Sequence, residues 1–230
     1  LPTAIAWGAV MPLLPFPVSF LAFNPLSANS FERQLDIRYE CHNFDAVGLI
    51  GTQQKMGDEH IERLVVDGRL MIYAGFGNGW GTNRSCGCAL LLGRRFKEKH
   101  IVRQWVLDGP CQGRGLAVRA ASGYFDFTML VCYFPPRPQK ILQLPRYLSM
   151  FAKVAQWAKA VLDEVGSTTT PVLLCDLNDG LGLQKLEDGT VWFDEHTSCI
   201  SKEVATIEQY EGGAGSLLRQ VLDEHGMQAT

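Results

Sequence analysis

The sequence predicts an α+β fold, a two-layer β-sandwich flanked by helices within the broader α/β layer class. Three observations predict it. The chain opens strand–helix–strand with short connections, its middle is a run of strands, and a long amphipathic helix then leads into one more apolar strand. Helices before and after a block of strands suit two packed sheets whose outer faces need cover.

Val18–Phe23 is the first expected strand, closed by Asn24-Pro25. Asn29 with Glu32 three residues on reads as a capping box, and Phe31, Leu35 and Tyr39 recur every fourth residue like one helix face. Asp45–Ile50 follows as a strand. Further strands are expected at Leu70–Tyr73, Cys88–Leu92, Ile101–Leu107, Leu116–Ala121 and Tyr124–Phe134, separated by Gly-, Asn- or charge-bearing turns. Pro135, Pro136 and Pro138 stop the last of them. The helix from Leu144 to Val165 carries Leu148, Phe151, Val154, Ala155, Ala158, Val161, Leu162 and Val165 on one stripe, with Gly166 as its C-cap. Pro171–Cys175 is the next strand, and 180–215 is turn-rich. Ser216–His225 closes as a helix, with Leu217, Leu218, Val221 and Leu222 apolar and Gly226 as its stop.

At 230 residues the chain suits one domain with a full core, and 47% hydrophobic with 20% charged residues is ordinary for a globular protein. No Asp, Glu, Lys or Arg precedes Glu32, and Pro12, Pro15 and Pro17 interrupt the apolar start. Residues 1–17 are therefore read as an ill-defined hydrophobic leader or the edge of a fragment, with a hydrophobic anchor left open, and 18–230 as a partial domain; no stable membrane partner is expected. The seven cysteines are odd in number and include no Cys-x-x-Cys pair. Reduced, buried thiols in a reducing intracellular compartment, cytoplasm or nucleus, are the expectation. Cys86-Gly87-Cys88 has no second ligand pair at useful spacing, so zinc is not expected. The aromatic set Trp80, Trp105, Trp157 and Trp192 reads as core rather than as a base-stacking platform.

A net charge of −3 gives no overall pull toward nucleic acid, so such a partner needs a local basic patch. Gly93–Arg103 supplies one candidate, with Arg94 and Arg95 as substrate-binding residues; a solvated hairpin edge explains the same charges. Three strand ends carry polar groups: Asn24, the turn Gly51-Thr52-Gln53-Gln54, and Asp176-Leu177-Asn178. Layered folds build sites from such ends, although Asn178-Asp179-Gly180 is also good turn chemistry.

Five stretches in order resemble the endonuclease/exonuclease/phosphatase superfamily, in its retroelement-type and apurinic-type endonuclease branches. They are Phe20–Asn24, Phe44–Thr52, Ser85–Phe96, Phe125–Pro136 with Tyr133 and Pro135 in matching places, and Pro171–Asn178, which is similar to the Gly-Asp-x-Asn motif with Cys175 at the glycine. The resemblance implies a four-layer fold and metal-dependent phosphodiester hydrolysis, with DNA as partner and Mg2+ or Mn2+ as cofactor. It implies catalytic roles for Asp176, which orients or deprotonates water, and for Asn178 and Asn24, which hydrogen-bond the phosphate.

The chain departs from the family pattern in named places. The metal-binding glutamate falls on Gly51, the position two after Asn24 is Leu26, and Val131 replaces an asparagine. No Ser-Asp-His tripeptide occurs; Asp-Glu-His occurs at Asp58–His60, Asp194–His196 and Asp223–His225. The resemblance thus implies a domain incomplete at its C-terminus. Three readings follow: a DNA endonuclease-like hydrolase, an inactive nucleic-acid-binding module or relic of the same fold, and a small-molecule phosphatase.

Overall fold

The computed structural model describes residues 6–8, 17–53, 62–66, 68–75, 86–136, 141–178, 184–185, 191–192 and 214–229. In chain order the strands are β1 (Ala6–Gly8), β2 (Phe20–Phe23), β3 (Ala46–Ile50), β4 (Glu62–Val66), β5 (Arg69–Ala74), β6 (Cys88–Leu92) and β7 (Ile101–Val106). They continue as β8 (Gly115–Ala121), β9 (Asp126–Tyr133), β10 (Thr170–Asp176), β11 (Gln184–Lys185), β12 (Val191–Trp192) and β13 (Gln228–Ala229). The helices are α1 (Phe31–Cys41), α2 (Leu144–Val165) and α3 (Ala214–Glu224).

Each of the two large sheets is organised around one parallel pair. Parallel neighbours need a crossover, and a helix supplies it in both cases. β2 runs through α1 to β3, and β9 runs through α2 to β10. The first sheet has the order β2-β3-β6-β5-β4, and the second β13-β1-β10-β9-β8-β7. β11 and β12 form a separate antiparallel pair. Ala6–Gly8, inside the segment read as a leader, pairs with β10 on one side and β13 on the other.

Period-two alternation divides the strands between two cores. Met129 and Val131 of β9 and Val172 and Leu174 of β10 face the other sheet, where they meet Ala46 and Ile50 of β3 and Leu90 and Leu92 of β6. Leu130, Cys132, Leu173 and Cys175 face the opposite way, onto Phe151, Val154, Ala158 and Leu162 of α2 and Leu218, Val221 and Leu222 of α3. On the far side Val47, Leu49, Ala89 and Leu91 receive Ile37 and Cys41 of α1. The layers are therefore α1, sheet, sheet, and α2 with α3, as the four-layer expectation requires. The sheets approach closely at Gly48, where an added Cβ would stand 2.7 Å from Leu174 Cβ.

Several expectations are corrected. α1 is capped by Ser30, whose hydroxyl accepts from Arg33 N at 3.2 Å, one residue later than the Asn29–Glu32 reading. Leu35 and Tyr39 are 43% and 76% exposed, because α1 buries Ile37 and Cys41 instead. The helix carries two apolar i,i+4 series on different faces, and the shorter one meets the sheet. Leu148 and Leu217 are likewise exposed, and Tyr147 is buried on α2 where Leu148 was expected. α2 itself spans the expected residues, and Gly166 adopts φ 55 at its end.

Six of the seven cysteines are described, and all six are free and buried. Burial pushes the Cys41 and Cys86 thiols up to about 11 and Cys175 up to about 12, so these groups pack as small hydrophobes. Trp105 and Trp157 pack against the core; the side chains of Trp80 and Trp192 lie outside the described residues. Among the described residues no helix is long and apolar enough to cross a membrane.

Candidate functional site

Both parallel pairs end at the same end of the sandwich. Ile50 pairs with Cys88 and Gly115 with Cys132, so the antiparallel strands β6 and β8 begin where β3 and β9 finish. The chain therefore leaves β2 at Asn24, β3 at Gly51, β9 at Phe134 and β10 at Leu177, and enters β6 from Gly87 and β8 from Arg114.

Hydrogen bonds knit these ends together. Asn24 Nδ2 donates to Asp176 Oδ2 at 2.7 Å, joining the two sheets across 152 positions of sequence. Asn24 Oδ1 accepts from Leu26 N at 2.9 Å, which fixes which way the amide faces. Asn178 Nδ2 donates to the Phe134 carbonyl at 2.9 Å, and Phe134 N donates to the Asp176 carbonyl at 3.1 Å. Thr52 N donates to Gly87 O at 3.1 Å, and Gly87 N donates to Gly113 O at 2.9 Å, a second link between the sheets.

The backbone is strained at this end. Among the described residues the non-glycine positions with positive φ are Leu26 at 62°, Gln53 at 56° and Asn178 at 52°. Each lies two residues beyond Asn24, Gly51 or Asp176. Asparagine tolerates this conformation and leucine does not, at a cost of roughly 1–2 kcal/mol. Strain that gathers at one place is a mark of a functional site.

Burial pushes the half-buried Asp176 carboxyl above the usual aspartate range, against the bonds from the Asn24 side chain and the Asn178 backbone. Thr52 is 1% exposed, and its hydroxyl has no hydrogen-bond partner among the described residues. Arg114 is the one charged residue among the described buried ones, at 3% exposure. Its guanidinium carbon lies 4.9 Å from the Tyr133 ring centroid, and Nη1 donates to the Tyr133 carbonyl at 3.4 Å. Tyr133 in turn stands beside Asp176 in the β9–β10 register.

No protein-family model matches the chain, and no curated protein matches it by sequence. Solved structures do match it in shape. The AP endonuclease LMAP from Leishmania major superposes with a TM-score of 0.58 at 12% identity, covering 94% of this chain and 72% of its own. The chain has the endonuclease/exonuclease/phosphatase fold. The human Nocturnin catalytic domain matches less closely, with a TM-score of 0.47 at 13% identity over 76% of this chain and 68% of its own. The endonuclease domain of TRAS1, a telomere-specific non-LTR retrotransposon, also has a TM-score of 0.47, at 13% identity over 91% of this chain and 71% of its own.

On this fold Asn24, Asp176 and Asn178 come together, and Gly51 lies with them at the same strand ends. Arg94 and Arg95 do not join them. They follow the other end of β6, roughly 20 Å away by strand rise. There Arg95 faces Asp45 at 3.5 Å and donates to the Pro17 carbonyl at 3.0 Å. A cleft of about 680 Å³ also lies at that end, lined by Tyr124, Phe127, Thr169, Pro171 and His225 among others. Charged groups around it are already paired, Arg119 with Asp126 at 2.6 Å and Lys159 with Glu224 at 2.8 Å. His225 Nε2 lies 3.2 Å from Asp163 Oδ1, far from Asp176. Asp58–His60 and Asp194–His196 lie outside the described residues.

Magnesium and manganese need hard oxygen ligands, with carboxylates from the chain to hold them. Asp176 brings one carboxylate, already engaged by Asn24, and Gly51 brings none. Among the described residues no three His, Cys, Asp or Glu side chains gather as a metal site. Among the described residues, this donor set does not fit a protein-held divalent ion. Sequence reading named Thr52 only as part of the polar turn after β3, and it missed Arg114. The available signal was an arginine framed by Gly113 and Gly115 at the start of a strand.

Proposed function

We propose that the chain binds the phosphodiester backbone of DNA at these strand ends and hydrolyses it there, with Asp176 as the base. The observation that carries this reading is the 2.7 Å bond from Asn24 Nδ2 to Asp176 Oδ2, which assembles the site from both sheets. A carboxyl raised by burial is a better acceptor for a proton from water than a solvated one. Each asparagine amide carries two N–H groups and spends one within the protein, leaving a second for a phosphate oxygen. Those neutral donors would stabilise charge developing on the phosphate without adding a negative charge of their own. Likeness of fold to an AP endonuclease supports DNA as the substrate class.

Nicking of supercoiled DNA by the wild-type chain and by Asp176→Ala, with magnesium and with EDTA, tests the proposal. Loss of a general base should slow nicking by roughly 10²–10⁴-fold. Equal rates for the two proteins, or no nicking by either, would sink hydrolysis. A second reading, DNA binding without turnover, draws on Gly51 standing at the glutamate position. It expects DNA retention by both proteins and nicking by neither.

A further inference from the structure

The charge balance at the strand ends runs against the usual logic of a metal-assisted phosphate site. Such a site gathers carboxylates, which then recruit a cation to meet the phosphate. Here Gly51 adopts φ 71, a conformation in which a side-chain-bearing residue is strained, and the one carboxylate, Asp176, accepts from the neutral Asn24 amide and from the Asn178 backbone. The positive charge comes from the protein instead. Arg114 reaches this end of the sandwich with its carbonyl accepting from Tyr133 N at 2.9 Å and its N–H donating to Cys111 O at 3.0 Å. Its guanidinium lies over the Tyr133 ring. Its field acts on the surrounding groups, for it pulls down the Cys86, Cys88 and Cys111 thiols against the upward push of burial. Burial pushes the Cys88 thiol up, and Arg114 and Asp176 act on it with opposite signs. Beside them the buried Thr52 hydroxyl has no partner among the described residues. A buried hydroxyl left without a partner costs about 1–3 kcal/mol.

We infer that this site takes a phosphate group without a divalent cation, with Arg114 as the fixed source of positive charge. Asp176 then opposes the anion rather than recruiting an ion for it. Arg114 acts through the field it sets up and through the Tyr133 it supports, so it is a positioning residue. The inference rests on the phosphodiester reading of the same strand ends.

Fluorescence anisotropy with a short single-stranded DNA oligonucleotide, in EDTA and in magnesium at matched ionic strength, tests it. The wild-type affinity should agree between the two conditions within about twofold, a difference of less than 0.5 kcal/mol. Asp176→Asn should bind more tightly in both, by roughly 3–10-fold, because one repelling charge is gone. Arg114→Met should bind roughly tenfold more weakly and Arg114→Lys should recover most of the loss, since the charge is restored while the flat stacking group is not. If Arg114→Met fails to fold, the sign of the Asp176→Asn effect still decides. Binding that requires magnesium and is lost in Asp176→Asn would overturn the inference while leaving the phosphodiester site standing. Identical binding by wild type and Asp176→Asn in both conditions would overturn the site itself.

Discussion

At the scale of single residues, burial of polar groups at this end of the sandwich costs stability. Burial lifts the Asp176 carboxyl above the ordinary 3.8 of an aspartate, so the folded chain holds that proton more tightly than the unfolded chain does. Stability from this group is thus fully present below the unfolded value and falls as the pH rises through the interval up to the folded one. Asp176→Asn should be more stable than wild type at neutral pH, by a margin that shrinks as the pH drops toward 3.8. Urea unfolding of both proteins at a series of pH values checks this, and a margin constant with pH would contradict the raised carboxyl. Thr52→Val removes a buried hydroxyl that lacks a partner and should stabilise the chain by about 1 kcal/mol, read as a shift of the urea midpoint. Gly51→Glu restores a carboxylate at φ 71 and should cost roughly 1–2 kcal/mol from the backbone alone.

Among the elements, the two crossover units place the site and the packing beneath them holds it. Gly48 lets β3 approach β10 where any Cβ would meet Leu174 at 2.7 Å and Val131 Cγ2 at 3.3 Å. Gly48→Ala should therefore destabilise by about 1–3 kcal/mol through overpacking, measured by thermal or urea unfolding. Both neighbours are central strand residues, so they cannot swing aside like the end of a long side chain. Phe151 anchors α2 with no exposed surface and stacks near Phe134, whose carbonyl holds Asn178. Through that chain of contacts α2 supports the site without touching it. α1 is held more lightly. It buries Ile37 and Cys41 and depends on the Ser30 cap, so Ser30→Ala should cost about 1 kcal/mol.

For the whole molecule, strand direction sorts the charged groups between two ends. Asp176 and Arg94 lie roughly 20 Å apart at opposite ends of the sandwich, beyond the range in which substitutions couple. The effects of Arg94→Ala and Asp176→Asn on DNA affinity should add within about 0.5 kcal/mol, which a double-mutant cycle of oligonucleotide binding measures. Strong coupling would mean that one bound strand feels both groups in a way this geometry does not provide. Much of the fold was legible from local pattern. α2 and β6 occupy the expected residues, because long amphipathic periods and unbroken apolar runs report burial directly. The short pieces were not legible, since β1 and β13 have two or three residues and acquire their structure only by pairing. α1 was legible as a helix but not as to its face, for two apolar series compete and only the sheet beneath chooses between them. By itself the sequence determined the run of strands and helices and the polar residues Asn24, Asp176 and Asn178 that end the strands. Only the tertiary structure decided that these three meet, that Arg94 and Arg95 stay away, and that Arg114 and Thr52 lie buried beside them. Periodicity is a local property, whereas juxtaposition depends on strand order and direction, which are set by pairings between residues far apart in the chain.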